Sequence, residues 1–283
     1  MQNSIFRSTQ SAFSLLETLM ATAIAAGTAA VAFQLFHQNE RIFRDQSLIL
    51  EMQQGARVIV SQAFDDIRTA GQGIPPGLGE VILPGSGESR LNIRASFSAT
   101  ESVVVSGLPL RVSVGSAVTV IVDSTTGFST GRQAFVWADE SWTRGTINSV
   151  SGAARSIRLT PSKVSASPLQ FVVPPAISLD EAVSLFWDNS TKTVRRTTAT
   201  NTENPSSPSW APANELAANV TALTFLYFDA TGLPVIPDSP EQRARIASIE
   251  ARVIIRASAS LSDGSRPSYA LSTRAAPRNL RLR

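Results

Sequence analysis

From Phe13 to Phe36 the chain runs through about 24 largely apolar residues, and the stretch that follows, residues 37–70, contains nothing that breaks a helix. At ~1.5 Å rise per residue the apolar run alone is long enough to cross a bilayer. Residues 37–70 then turn one-sided, with Ile49, Met52, Ala56, Ile59, Ala63 and Ile67 spaced by three or four. The run Gly71-Gln72-Gly73-Ile74-Pro75-Pro76-Gly77 stops the pattern, since glycine and paired prolines cannot continue it. The pattern predicts a single helix of about 58 residues, about 87 Å long. Its first part is apolar all round and its second part has one apolar face.

One carboxylate, Glu17, interrupts the apolar run near its start. An ionisable group in such a segment costs roughly 2.5–3.5 kcal/mol on insertion scales, so it calls for a purpose. Three readings compete. A secretory signal peptide would be cut at Ala21-Thr22-Ala23 or Ala23-Ile24-Ala25, but Glu17 and the unbroken helix both speak against it. A plain signal anchor explains the length and leaves Glu17 as an unexplained cost. In the third reading a peptidase cuts at Ala12–Phe13, before the run, and frees an α-amine on Phe13 four residues from Glu17. Within one helix, or between neighbouring subunits, amine and carboxylate can then neutralise each other. Removing one partner of a buried pair costs ~3–5 kcal/mol, so such a pair would set the axial register of packed helices. The third reading explains the leader, the glutamate and the unbroken helix together.

Beyond the helix the chain reads as short β-branched runs divided by turns. Residues 91–97, 102–108, 118–123, 133–139, 145–151 and 156–160 form one group, and 182–188, 193–198, 220–229 and 247–258 a second. A Pro/Ser/Asn-rich loop fills 201–214. The expected class is α+β: a long N-terminal helix packed on an antiparallel β-sheet body at 77–283, with a small β-rich module inserted at about 113–175.

The residue inventory narrows the function. No cysteine is present, which excludes disulfides and thiolate metal sites, and the single histidine, His37, cannot build a histidine-rich zinc site. His37 also lies beside the apolar run, a poor place for the base of a nucleophilic triad. These counts argue against most enzymes, and no cofactor is implied. Net charge is +3, with Arg274, Arg278, Arg281 and Arg283 near the end of the sequence. A solvated tail is the simple reading, and a nucleic-acid or anionic-lipid contact is the sharper one. The acidic clusters Asp65–Asp66, Asp180–Glu181 and Asp263–Gly264 lack calcium-loop spacing. Ala23 with Gly27, and Ala26 with Ala30, give small-xxx-small spacings that let helices approach closely.

The stretch Ala12-Phe13-Ser14-Leu15-Leu16-Glu17-Thr18-Leu19-Met20 resembles the class III signal of type IV prepilins and type II secretion pseudopilins: a small residue, Phe, three residues, Glu, then an apolar helix. Residues 54–73, together with 215–232, 246–258 and 270–283, resemble the corresponding parts of PilW-like minor pilins and J-type minor pseudopilins. The resemblance covers about residues 1–75 and 176–283. It implies a leader at 1–12, prepilin-peptidase cleavage between Ala12 and Phe13, N-methylation of Phe13, and Glu17 as the carboxylate needed for subunit recruitment. A transmembrane and filament-core helix would occupy 13–36, and its amphipathic continuation 37–70. Implied partners are other minor and major pilins, prepilin peptidase, the inner-membrane assembly platform, and membrane lipid before assembly. The body would sit in the periplasm and then on the pilus. Two departures stand out: Ala12 replaces the usual Gly, and no proline lies between Phe13 and Ala70 to kink the helix.

Overall fold

The structure, a computed structural model, describes residues 14–75, 78, 81–105, 107–204 and 207–278. Helix α1 spans Leu15–Thr69 without interruption, 55 residues or about 82 Å. It stops where the pattern predicts: Ala70 leaves helical geometry, and its N–H donates to the carbonyls of Asp66 and Ile67. Gly71 and Gly73 follow with φ of +83° and +69°, which few other residues adopt. At Gly73 a Cβ would also stand 2.9 Å from that of Ser96.

The coarse α+β class is as expected, with the long helix on an antiparallel body. Strands β1 (Arg90–Ala95), β2 (Glu101–Val103), β3 (Leu110–Val112), β4 (Val118–Ile121), β5 (Gln133–Ala138) and β6 (Ser141–Ser151) come first. Next are β7 (Ser156–Val164), β8 (Leu169–Phe171), β9 (Ala176–Leu179), β10 (Glu181–Asp188), β11 (Thr193–Asn201), β12 (Ser209–Trp210) and β13 (Asn214–Ala217). The chain finishes with β14 (Val220–Phe228), β15 (Pro234–Val235), the short helix α2 (Pro240–Arg245), β16 (Ser248–Arg256) and β17 (Ser268–Ala275).

Two sheets build the body. One runs β1-β10-β11-β12, with β13 also on β11, and the other runs β15-β14-β16-β17. Their inner faces and the last turns of α1 share one core, in which Ala56, Ile59, Ala63 and Ile67 meet Leu185, Val194, Phe225, Ile249 and Val253. The buried stripe starts at Met52, one turn later than the spacing suggests, because Ile49 is 37 % exposed where α1 is already leaving the body. Asp66 takes an unexpected place on the stripe. Arg196 donates to both its carboxylate oxygens at 2.9 Å, and Gln62 adds a third donor at 3.0 Å, so the buried charge is matched.

A second core belongs to residues 101–179. Strands β2-β9-β5-β6-β7-β4 form one sheet, which uses β2 and β9 from either side of the 113–175 window. Val104 bridges to Val122, with Val105 N–H on the Ile121 carbonyl at 2.7 Å, so the last strand returns to the first and the sheet closes into a barrel. Val120, Val122, Val136, Ile147, Ile157, Leu159 and Ile177 fill it, and the ribbon of β3 and β8 covers it with Leu110, Leu169 and Phe171. Gly145 is required in the barrel wall: a Cβ there would lie 2.4 Å from the Thr160 carbonyl oxygen, at an irregularity between β6 and β7.

Barrel and body are joined by a buried ionic cluster. Asp180, the single residue between β9 and β10, accepts from Arg94 Nε and Nη2 at 2.6 Å each and from Arg144 Nε at 2.7 Å. Thr202 donates to it at 3.0 Å, while Arg144 also donates to the carbonyls of Thr202 and Glu203. Arg94 belongs to β1 of the body and Arg144 to β6 of the barrel, and both are buried. Replacing Asp180 by Asn should strand two buried guanidiniums and lower unfolding free energy by about 3–5 kcal/mol in urea titrations of the full chain in detergent. Glu181→Gln, which breaks a partly exposed pair with Arg132, should cost no more than about 1 kcal/mol.

Tyr227 gives a second, pH-dependent test. Its hydroxyl donates to the carbonyls of Gly87 and Arg90, and burial holds its pKa well above the ordinary tyrosine range. The unfolded phenol ionises near pH ~10 and the folded one does not, so its contribution is complete below pH ~10 and lost as pH rises further. Urea midpoints should fall above that pH and fall less in Tyr227→Phe.

Candidate functional site

The feature that the fold leaves unused is the proximal part of α1. From Leu15 to Arg44 every side chain is exposed, and an apolar window there is long and hydrophobic enough to cross a membrane, with none of it buried in the body. Phe33 and Phe36 are 70 % and 74 % exposed. Among the described residues no part of the body covers this surface, the exposure expected of a membrane-crossing or interaction segment.

Glycines mark the difference between the two parts of the helix. At Gly55 a Cβ would come within 3.1 Å of Ile255 Cδ1, so the missing side chain lets α1 approach β16. At Gly27 a Cβ would meet nothing within 4 Å. The small face formed by Ala23, Gly27, Ala26 and Ala30 is therefore free to take another helix at close range.

The threonine hydroxyls of the proximal part are satisfied within the helix. Thr18, Thr22 and Thr28 donate to the carbonyls of Ser14, Thr18 and Ile24 at 3.3, 2.9 and 2.8 Å. Hydroxyls bonded back to their own helix suit an apolar surrounding, where an unsatisfied donor is expensive. Between Leu15 and Phe36 only Glu17 carries a charge.

Glu17 opens the helix. Its N–H donates to Ser14 Oγ at 3.2 Å, and its carboxylate accepts the Ser14 N–H at 3.1 Å, a reciprocal capping box. The carboxylate thus faces the start of the helix, where the macrodipole favours negative charge. Ser14-x-x-Glu17 is legible in the sequence, and its capping role adds a purpose that the helix-register argument alone does not give. Ala12 and Phe13 lie outside the described residues.

At its other end the free part meets a polar belt and then a clasp. His37 and Glu40 approach to 3.5 Å, and Arg41 and Arg44 follow. The loop between β16 and β17 then grips the helix. Ser262 N–H donates to the two Asp45 oxygens at 3.0 and 3.1 Å, its hydroxyl also bonds Asp45, and Ser258 reaches Glu51 at 3.3 Å. Asp45 and Glu51 carry no motif in the sequence, because their partners lie more than 200 residues away.

The acidic clusters are otherwise employed. Asp66 and Asp180 neutralise arginines, and Asp263 is held below the usual carboxylate range first by the Ser265 hydroxyl and then by the Ser265 N–H that donates to it in a turn. No protein-family model matches the chain, and no curated protein matches its sequence.

Removing Ser14 Oγ separates the cap from the charge. Ser14→Ala should cost about 1 kcal/mol locally and speed amide exchange at residues 15–18, whereas Glu17→Gln keeps a side chain able to complete the box. Hydrogen exchange of both variants in detergent should show fraying in the first and near-native protection in the second.

Proposed function

We propose that this chain is a non-enzymatic minor pilin, cut between Ala12 and Phe13, methylated on Phe13, and built into a type IV pilus at its initiation or tip complex. The observation that carries this reading is the proximal helix: apolar on every side, unpartnered in its own chain, and begun by one carboxylate. A helix serving only as an anchor needs no charge at that position. A helix that moves from lipid into a bundle of like helices needs a mark that fixes its axial position, and a carboxylate facing the helix start supplies it.

Before assembly the apolar run lies in the inner membrane with the body in the periplasm. Afterwards its small-residue face packs against other pilins, and prepilin peptidase and the assembly platform act on it in between. With Phe13 as first residue, the α-amine is one residue from the Ser14 amide that Glu17 already holds, within reach of the carboxylate of its own or a neighbouring helix. The relation to a J-type pseudopilin of a type II secretion system rests on the same physics.

The test uses the two variants that separate cap from charge. Glu17→Gln retains the cap and removes the charge, so it should be cleaved normally yet be absent from sheared filaments. Ser14→Ala retains the charge and should still be incorporated. Normal incorporation of Glu17→Gln would remove the role assigned to the carboxylate.

A further inference from the structure

Among the described residues the long edge strand β17 stands out from the other strand edges. The barrel closes on itself and has none. The outer side of β1 is covered by residues 81–83, with Arg94 N–H on the Val81 carbonyl and Leu83 N–H on that of Asn92, both at 2.9 Å. The outlying strands β12, β13 and β15 are two, four and two residues long. Strand β17 differs: it is eight residues long, ends its sheet, and pairs with β16 in unbroken register along one side. Among the described residues nothing bonds to its other side. It carries no proline, no lysine and no bulge, the devices that usually blunt an edge, and its single charge is Arg274.

At the end of β17 the edge opens onto a cleft of about 650 Å³ lined by Asp65, Arg68, Gln72, Arg274 and Arg278 among others. Arg68 stacks on Phe64 at 5.3 Å, and Arg274 stacks on Phe228 at 4.0 Å and donates to Ser248 Oγ. Arg278 reaches Gln72 Oε1 at 3.4 Å. Among the described residues none of the three arginines forms an ion pair, although Glu250 stands opposite Arg274 in the strand register. Arg274 lays its guanidinium inward over β14 and β16, so Arg68 and Arg278 supply the charge of the cleft against the one carboxylate of Asp65, a net positive lining that suits an anionic partner.

We propose that β17 accepts an additional β-strand from a partner polypeptide, whose acidic side chains enter the cleft of Arg68 and Arg278. Main-chain hydrogen bonds along the edge provide affinity, and the arginines select the charge and orientation of the incoming strand. The bare strand edge favours a polypeptide over a nucleic acid, because it pairs with the alternating N–H and C=O groups of an extended peptide and a sugar–phosphate backbone has no such row. Residues 279–283 bring Arg281 and Arg283 and no acidic side chain, so they do not balance the cleft. A second copy of β17 also carries only Arg274. The inference stands apart from the filament reading, since it uses the body alone.

Fluorescence anisotropy on the full chain in detergent tests it. The probe is a labelled peptide of about ten residues alternating Thr and Glu. Its comparators are the same peptide with Lys for Glu, the same peptide N-methylated at alternate amides, and a short DNA duplex. The acidic peptide should bind saturably and weaken with added salt. Affinity should drop about tenfold or more for the Lys peptide, for the N-methylated peptide, and for the double variant Arg68→Gln/Arg278→Gln. Both substituted side chains are exposed, and thermal melts check that the fold is kept. Equal binding of the N-methylated peptide, tighter binding of the duplex, self-association as the only event, or no binding of the acidic peptide would each overturn the proposal.

Discussion

A stripe of small and branched side chains, Met52, Ala56, Ile59, Ala63 and Ile67, seats the last turns of α1 in the body, and the rest of the molecule is arranged around that seat. Because no proline or glycine turn interrupts the helix, fixing one end fixes the direction of the other. The proximal part is held out as a straight apolar rod, clasped at Asp45 and Glu51 and free beyond. Burying that rod in its own body would need a break that the sequence does not contain. Among the described residues nothing of the body covers it, it is long and apolar enough to cross a membrane, and its internally bonded threonines suit an apolar surrounding.

The body follows a second logic, that of charges buried in pairs. Asp66 with Arg196 fastens the helix to the first sheet, and Asp180 with Arg94 and Arg144 fastens the barrel to the body. Each carboxylate is matched by forked guanidinium donors, so desolvation is offset by charge-assisted bonds in a defined geometry. Such links contribute specificity of docking more than net stability. The barrel has its own core, and besides this joint the Arg132–Glu181 pair and the Ser178 hydroxyl on the Gly73 carbonyl hold it to the body.

Much of the helix was legible because it depends on local pattern: the apolar run, the three-and-four spacing, and the glycine stop. Ile49 fits the spacing and still lies outside the core, since periodicity does not tell where a helix departs from its support. Most longer strands were legible from β-branched runs, including β14 and β16. The short β2 and β4 fall within β-branched runs, whereas β3, β8, β9, β15 and the eight-residue β17 were not legible, because neighbouring strands create them rather than their own residues. The ionic joints were invisible for the same reason: Arg94 and Asp180 are 86 residues apart. The Ser14–Glu17 box was written plainly, and it shows that one carboxylate can both start a helix and mark it.

The decisive event lies at the head of that helix, and mass spectrometry of the N-terminus of the chain recovered from cell membranes measures it directly. A chain beginning at N-methylated Phe13 is the predicted result. An intact Met1, or a first residue inside the apolar run such as Ile24 or Ala26, would contradict it.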